Sequence, residues 1–208
     1  DYVLHVASPF VTSEPKDEND LIKPAVEGTQ RALRAAKKAG VKRMVLTSSM
    51  VAMMGDAKGT VEINQKSWTN VKAKGVSAYL KSKTLAEQSA WEFIKNQESD
   101  QLLELVTINP GPIYGPTLSG NLNGESMGMY KQLISGKMPL LPRFAINMSD
   151  VRDVAAIHVA ALINEKANGK RFIVSTEKAH KGVEMAEILK ANGYSKVSTK
   201  LAPNFLLR

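Results

Sequence analysis

The sequence predicts an α/β protein: a parallel sheet with helices on both faces, followed by a smaller C-terminal lobe. Three observations predict it. Short, nearly unbroken apolar runs at 2–7, 41–47 and 102–108 have the length of strands buried on both sides. Between them lie two longer segments, the first with apolar residues recurring every three or four positions, the period of an amphipathic helix. The order strand, helix, strand, helix, strand calls for crossover connections and hence parallel pairing.

The first strand, Tyr2-Val3-Leu4-His5-Val6-Ala7, reads as buried and follows Asp1 directly. A domain does not ordinarily open inside its own sheet, so a fragment lacking N-terminal strands is expected. Residues 8–18 have loop composition. Leu21, Ile22, Ala25, Val26, Thr29, Leu33 and Ala36 define the first helix, with Pro24 tolerable only near its first turn and Gly40 fitting its stop. Met44-Val45-Leu46 centres the second strand. A polar stretch over 55–75 precedes a helix over 77–96, with Ser77 as N-cap. Asn109-Pro110-Gly111-Pro112 ends the third strand. Past residue 116 the texture changes: a stretch at 116–125 rich in Gly, Asn and Ser, a short helix near 127–135, and a loop or short strand at 140–144. An alanine-rich helix at 150–163, a strand at 172–174 and a helix at 183–191 complete the chain. Two domains are expected, 1–115 and 116–208, with elements near 150–175 returning to the first.

Composition narrows the function classes. The 208 residues are 43% hydrophobic and 23% charged, which is globular rather than disordered. Cysteine is absent, which removes disulfide frameworks, thiolate metal sites and cysteine nucleophiles. The longest apolar run, 154–163, is interrupted by His158 and is too short for a bilayer. No signal-peptide pattern opens the sequence, so a cytoplasmic location is expected, with no membrane partner. The formal net charge is +8, but the basic residues are scattered, and groups such as Lys37, Lys38, Lys42 and Arg43 fall where helices and turns end. They read as a solvated surface, and no nucleic-acid motif accompanies them.

Four segments carry chemistry. Tyr79 and Lys83 lie four apart on one helix face. A phenol with a pKa of about 10 is a weak acid at neutral pH, and a neighbouring ammonium lowers that value. Such a pair can move a proton to or from a carbonyl or alcohol oxygen. Thr47-Ser48-Ser49 follows the second strand, at the sheet edge where ligands bind in parallel α/β folds. His5-Val6-Ala7-Ser8-Pro9-Phe10 and Asn109-Pro110-Gly111-Pro112-Ile113-Tyr114-Gly115-Pro116 likewise follow strands. No carboxylate–histidine spacing suggests a metal, and none is expected.

Together the segments resemble the extended short-chain dehydrogenase/reductases, in the dihydroflavonol 4-reductase, cinnamoyl-CoA reductase and aldehyde reductase branch of the NAD-dependent epimerase/dehydratase superfamily. The residues carrying the likeness are His5-Val6-Ala7-Ser8-Pro9, Leu46-Thr47-Ser48-Ser49, Tyr79-Leu80-Lys81-Ser82-Lys83 with Thr84-Leu85-Ala86-Glu87, Asn109-Pro110-Gly111-Pro112, and Val151-Arg152-Asp153-Val154. The resemblance implies a Rossmann-like sheet and a C-terminal substrate lobe. It implies Ser49 orienting a carbonyl, with Ser48 the weaker choice, Tyr79 as proton donor, and Lys83 lowering the Tyr79 pKa and holding the nicotinamide ribose. Ala7, Ser8 and Pro9 would lie along the cofactor, with Pro110, Gly111, Pro112 and Ile113 near the nicotinamide. The implied reaction is NADPH-dependent reduction of an aldehyde, ketone or flavanone-like small molecule. The family's glycine-rich turn and the residue choosing NADP(H) over NAD(H) are not in this sequence. A sugar-nucleotide epimerase or dehydratase, and a non-catalytic NAD(P)-sensing regulator, remain the alternatives.

Overall fold

The computed structural model describes residues 1–10, 14–57, 59, 61–98, 102–120 and 125–203; the parts of the expected loops at 11–13, 58, 60 and 121–124 lie outside the described residues. In chain order the elements are β1 (Tyr2–His5), α1 (Asn19–Lys38), β2 (Arg43–Thr47), α2 (Val51–Met54), α3 (Ala78–Lys95), β3 (Glu104–Pro110) and β4 (Ile113–Tyr114). Then come α4 (Glu125–Ile134), β5 (Ala145–Ile146), β6 (Ser149–Asp150), α5 (Val151–Ile163), a 3₁₀ turn (Glu165–Ala167), β7 (Arg171–Val174), β8 (His180–Lys181) and α6 (Gly182–Ala191). The chain divides into two units, Asp1–Gly111 with Arg152–Val174, and Pro112–Val151 with Ser175–Arg208.

In the first unit β1, β2, β3 and β7 form a four-stranded sheet in that order, parallel throughout. Alternation along the strands builds two cores. Met44, Leu46 and Leu105 face Leu33 and Ala36 of α1 and Ala90 of α3. Val45, Val106 and Ile108 point the other way, to Ala161 of α5 and to Ala167. Each of the fully buried Met, Leu, Val and Ile side chains among them contributes ~1.5–3 kcal/mol. Both faces of β2 and β3 are thus covered, which explains why their sequences are continuously apolar.

Among the described residues β1 pairs with β2 alone, and Tyr2, Leu4 and Val6 are 42%, 44% and 65% exposed, so β1 stands at an edge of the sheet. Arg43 departs from expectation. Read as part of a solvated basic group, it is 1% exposed. Its Nε donates to Glu104 and its Nη1 donates to the carbonyls of Ala161, Leu162 and Asn164 at the end of α5. A buried guanidinium there satisfies carbonyls that a helix terminus leaves without partners.

Helix ends follow local chemistry. α1 stops in a Schellman arrangement: Gly40, at φ 66°, donates to Lys37 O, and Val41 donates to Ala36 O. α1 begins at Asn19, which places Pro24 in the second turn rather than the first, with no N–H to offer the carbonyl four residues back. Ser77 caps α3, its hydroxyl accepting from the Leu80 N–H at 3.3 Å.

The second unit has its own core around Leu133, Leu141, Ala186 and Val197. β4 pairs with β6 in parallel and β5 with β8 antiparallel. These two-residue strands are too short to show a period, so the sequence reading passed over them. Gly182, which opens α6, allows a close approach: a Cβ there would lie 2.5 Å from the Phe144 ring.

Candidate functional site

The carboxyl ends of β1, β2 and β3 and the first turns of α3 gather the candidate residues of the first unit. Tyr79 is the second residue of α3, and its ring packs on Phe10 with centroids 4.5 Å apart. The Ser49 hydroxyl neighbours the Tyr79 phenol and favours its ionised form. Ser49 lies in the turn after β2, where its Oγ also accepts from the Val51 N–H at 3.3 Å. Ser48, its neighbour, is buried and donates to Glu87 Oε2. Successive side chains leaving a strand take opposite directions, so only one of the two reaches Tyr79.

Lys83 follows Tyr79 by one turn on the same face. Burial pushes its ammonium down to about 8, and it makes no ion pair among the described residues. Burial also holds the Tyr79 phenol above its ordinary value, and the neighbouring Ser49 hydroxyl offsets this only in part, so desolvation of the phenolate is the larger effect. His5, ending β1, is held below its usual range by burial and then by the Lys83 charge, so it is neutral at pH 7.

Lys83 lines a small cavity with Ala7, Ser8, Thr29, Leu46, Thr47, Ser48, Ala86 and Glu87. The buried ammonium makes no ion pair among the described residues, so it can donate to a cofactor hydroxyl, and the short side chains of Ala7 and Ser8 beside it put little in a ligand's way. Of the other residues assigned to the cofactor, Pro9 follows directly in the chain and does not line this cavity. Pro110 accepts from the Met50 N–H at 2.9 Å, and the Gly111 N–H donates to Val174 O at 3.1 Å, so both are tied to the strand ends. Pro112 and Ile113 lie in the second unit, where Ile113 opens β4. Among the described residues no group of three His, Asp or Glu side chains is placed to hold a metal, and no helix is long and apolar enough to cross a membrane.

Beneath these residues lies a polar network to which the sequence reading gave no role. Glu87, whose side chain is 0% exposed, accepts from Arg171 Nε at 2.6 Å, Trp91 Nε1 at 3.2 Å and Thr107 Oγ1 at 3.1 Å on one oxygen. Its other oxygen accepts from Ser48 Oγ and from Asn109 Nδ2 at 2.8 Å. Arg171 stacks on Trp68 at 3.7 Å and donates to the carbonyls of Gln65 and Ser67. The one available signal was an acidic residue on the buried stripe of α3, eight positions after Tyr79. Thr47 donates to Nε2 of buried His158, whose Nδ1–H donates to Val154 O, which ties the end of β2 to α5.

Comparison with known proteins gives the family. The model of the NAD dependent epimerase/dehydratase family matches residues 1–175. The NADPH-dependent methylglyoxal reductase GRE2 of Saccharomyces cerevisiae is 34% identical over 189 residues, covering 83% of this chain and 55% of the relative. The cinnamoyl-CoA reductase CAD2 of Medicago truncatula is 36% identical over 178 residues, covering 83% and 53%. The crystal structure of yeast methylglyoxal/isovaleraldehyde reductase Gre2 complexed with NADPH superposes with a TM-score of 0.81 at 31% identity, covering 95% of this chain and 63% of that one. The chain spans about half the length of the curated relatives it matches. With that match over most of its length, and with relatives that bear reductase names, the chain belongs to the NAD-dependent epimerase/dehydratase family.

Proposed function

We propose that the protein is an NADPH-dependent carbonyl reductase acting on a small aldehyde, ketone or flavanone-like molecule, and that it works in the cytoplasm. The observation carrying this reading is the Ser49 hydroxyl beside the Tyr79 phenol, with Lys83 one turn along the same helix. The names of the relatives support reduction over sugar-nucleotide epimerisation, and NADPH over NADH. A pure nucleotide sensor would need no proton donor beside a buried cation.

Bound NADPH supplies the hydride. Every other step belongs to the chain. The Ser49 and Tyr79 hydroxyls both address the carbonyl oxygen and so orient the carbonyl carbon. Tyr79, held protonated at neutral pH by burial, gives its proton to that oxygen as the alcohol forms. The phenolate left behind is stabilised by the Lys83 ammonium. Ala7, Ser8 and Pro9, with the backbone of Pro110 and Gly111, hold the cofactor. Donors already in place for the developing alkoxide supply most of the rate enhancement.

The test is NADPH oxidation across a panel of aldehydes and ketones, with UDP-sugars as the competing substrates. Tyr79→Phe is expected to lower kcat by roughly 10²–10⁴, the worth of a general acid, with NADPH affinity retained. Ser49→Ala should lower kcat/KM far more than Ser48→Ala, whose main effect should be on stability, since it removes a donor from buried Glu87. Near-normal turnover in Tyr79→Phe, or equal losses at the two serines, overturns the assignment.

A further inference from the structure

We propose that Asn109 and Glu87 act as a positioning pair for Ser49, holding its backbone so that its hydroxyl meets Tyr79. The kinetic half of this inference rests on the reductase reading above; its structural half does not.

The connections form a closed circuit within the first unit. Asn109 Nδ2 carries two hydrogens, and both are used: one goes to Glu87 Oε2 at 2.8 Å, the other to the Ser49 carbonyl at 3.2 Å. Ser49, whose hydroxyl stands beside the Tyr79 phenol, is therefore held by its carbonyl, through Asn109, to Glu87. Tyr79 and Glu87 stand two turns apart on α3. The helix that carries the phenol thus also sets the place of the serine that must meet it. Ser48 donates to the same Glu87 oxygen as Asn109, so two successive residues of the turn are anchored at one carboxylate.

The network is saturated and leaves little freedom. A carboxylate offers about four lone-pair sites. Glu87 has five candidate donors, of which Thr107 has a single hydroxyl hydrogen that also faces Asn109 Oδ1 at 3.2 Å. When Thr107 serves Asn109, the remaining four donors fill the carboxylate. Thr107 then also fixes which way the Asn109 amide points. Stability alone does not call for this arrangement, since well-packed apolar side chains commonly replace a buried ion pair without loss. What the charge provides is direction: one fixed acceptor aligns three strand ends with one helix.

The experiment is a double-mutant cycle between Asn109 and Ser49. Asn109→Leu keeps the volume and removes both hydrogen bonds; Asn109→Ala is the second variant. In the otherwise unmodified protein each is expected to lower kcat about 10- to 100-fold, the effect of misplacing a reacting group by about an ångström, with KM for NADPH unchanged. In the Ser49→Ala background the same substitutions should change kcat by less than about twofold, because Asn109 acts only through Ser49. A second readout needs neither cofactor nor substrate. The ring ¹³Cζ signal of Tyr79, assigned with Tyr79→Phe, should move in the same direction in Asn109→Leu and Ser49→Ala, and no further in the double variant. Equal kcat losses in both backgrounds, or an unmoved Tyr79 signal in Asn109→Leu, overturns the proposal. So does loss of folding in both Asn109 variants, which would make Asn109 a folding residue. Absence of reductase activity alongside the expected Tyr79 pattern overturns the reductase reading and leaves the positioning pair standing.

Discussion

At the scale of single residues, Lys83 shows the tension between stability and chemistry. Burial without a counter-ion brings its ammonium down to about 8, so the unfolded chain binds that proton more tightly than the folded one. The resulting penalty is fully present below pH 8 and is relieved as pH rises from there toward the unfolded value of about 10.5. Lys83→Met is accordingly expected to stabilise the protein at pH 7 by roughly 2–3 kcal/mol while abolishing reduction. Urea unfolding at pH 7 and pH 10 checks this, the gain shrinking at the higher pH. An unchanged or lowered midpoint at pH 7 would show that the ammonium has a partner. The Ser49, Tyr79 and Lys83 candidates were legible because helical spacing and position after a strand are local signals. Glu87, Asn109 and Arg171 were not, because nothing in the chain between them hints that they meet. Only the assembled sheet brings positions 87, 109 and 171 to one carboxylate.

At the scale of elements, strands and helices emerged from periodicity, and their ends from caps. Ser77 and Gly40 are both legible in the sequence, since a hydroxyl ahead of a helix and a glycine behind one act through their own backbone. Arg43 was misread because its partners are carbonyls more than a hundred residues away. Its role gives a prediction at this scale. Arg43→Leu leaves the Ala161, Leu162 and Asn164 carbonyls without their donor and Glu104 without its cation. A loss of about 2–4 kcal/mol is expected, read as a lower denaturation midpoint, with the fraying concentrated in the last turn of α5 by hydrogen exchange. Uniform exchange along α5 would remove the capping role.

At the scale of the whole molecule, β1 leaves one edge of the sheet unpaired among the described residues and shows apolar side chains beside it. Such an edge templates further strands. The 208-residue chain is therefore expected to self-associate with rising concentration, and Leu4→Lys should reduce this, as sedimentation measures. A monodisperse monomer before substitution contradicts the expectation. The polar network bears on how long the molecule lasts. Asparagine ages by attack of the next residue's backbone nitrogen on its side-chain carbonyl, closing a succinimide that opens to aspartate or isoaspartate. The residue after Asn109 is Pro110, whose ring nitrogen carries no hydrogen, so the usual route is closed. An aspartate at 109 would set a second carboxylate against Glu87, in place of the amide that now donates to it. The proline thus guards against spontaneous chemical decay at an asparagine whose conversion would turn an attraction at the centre of the first unit into a repulsion.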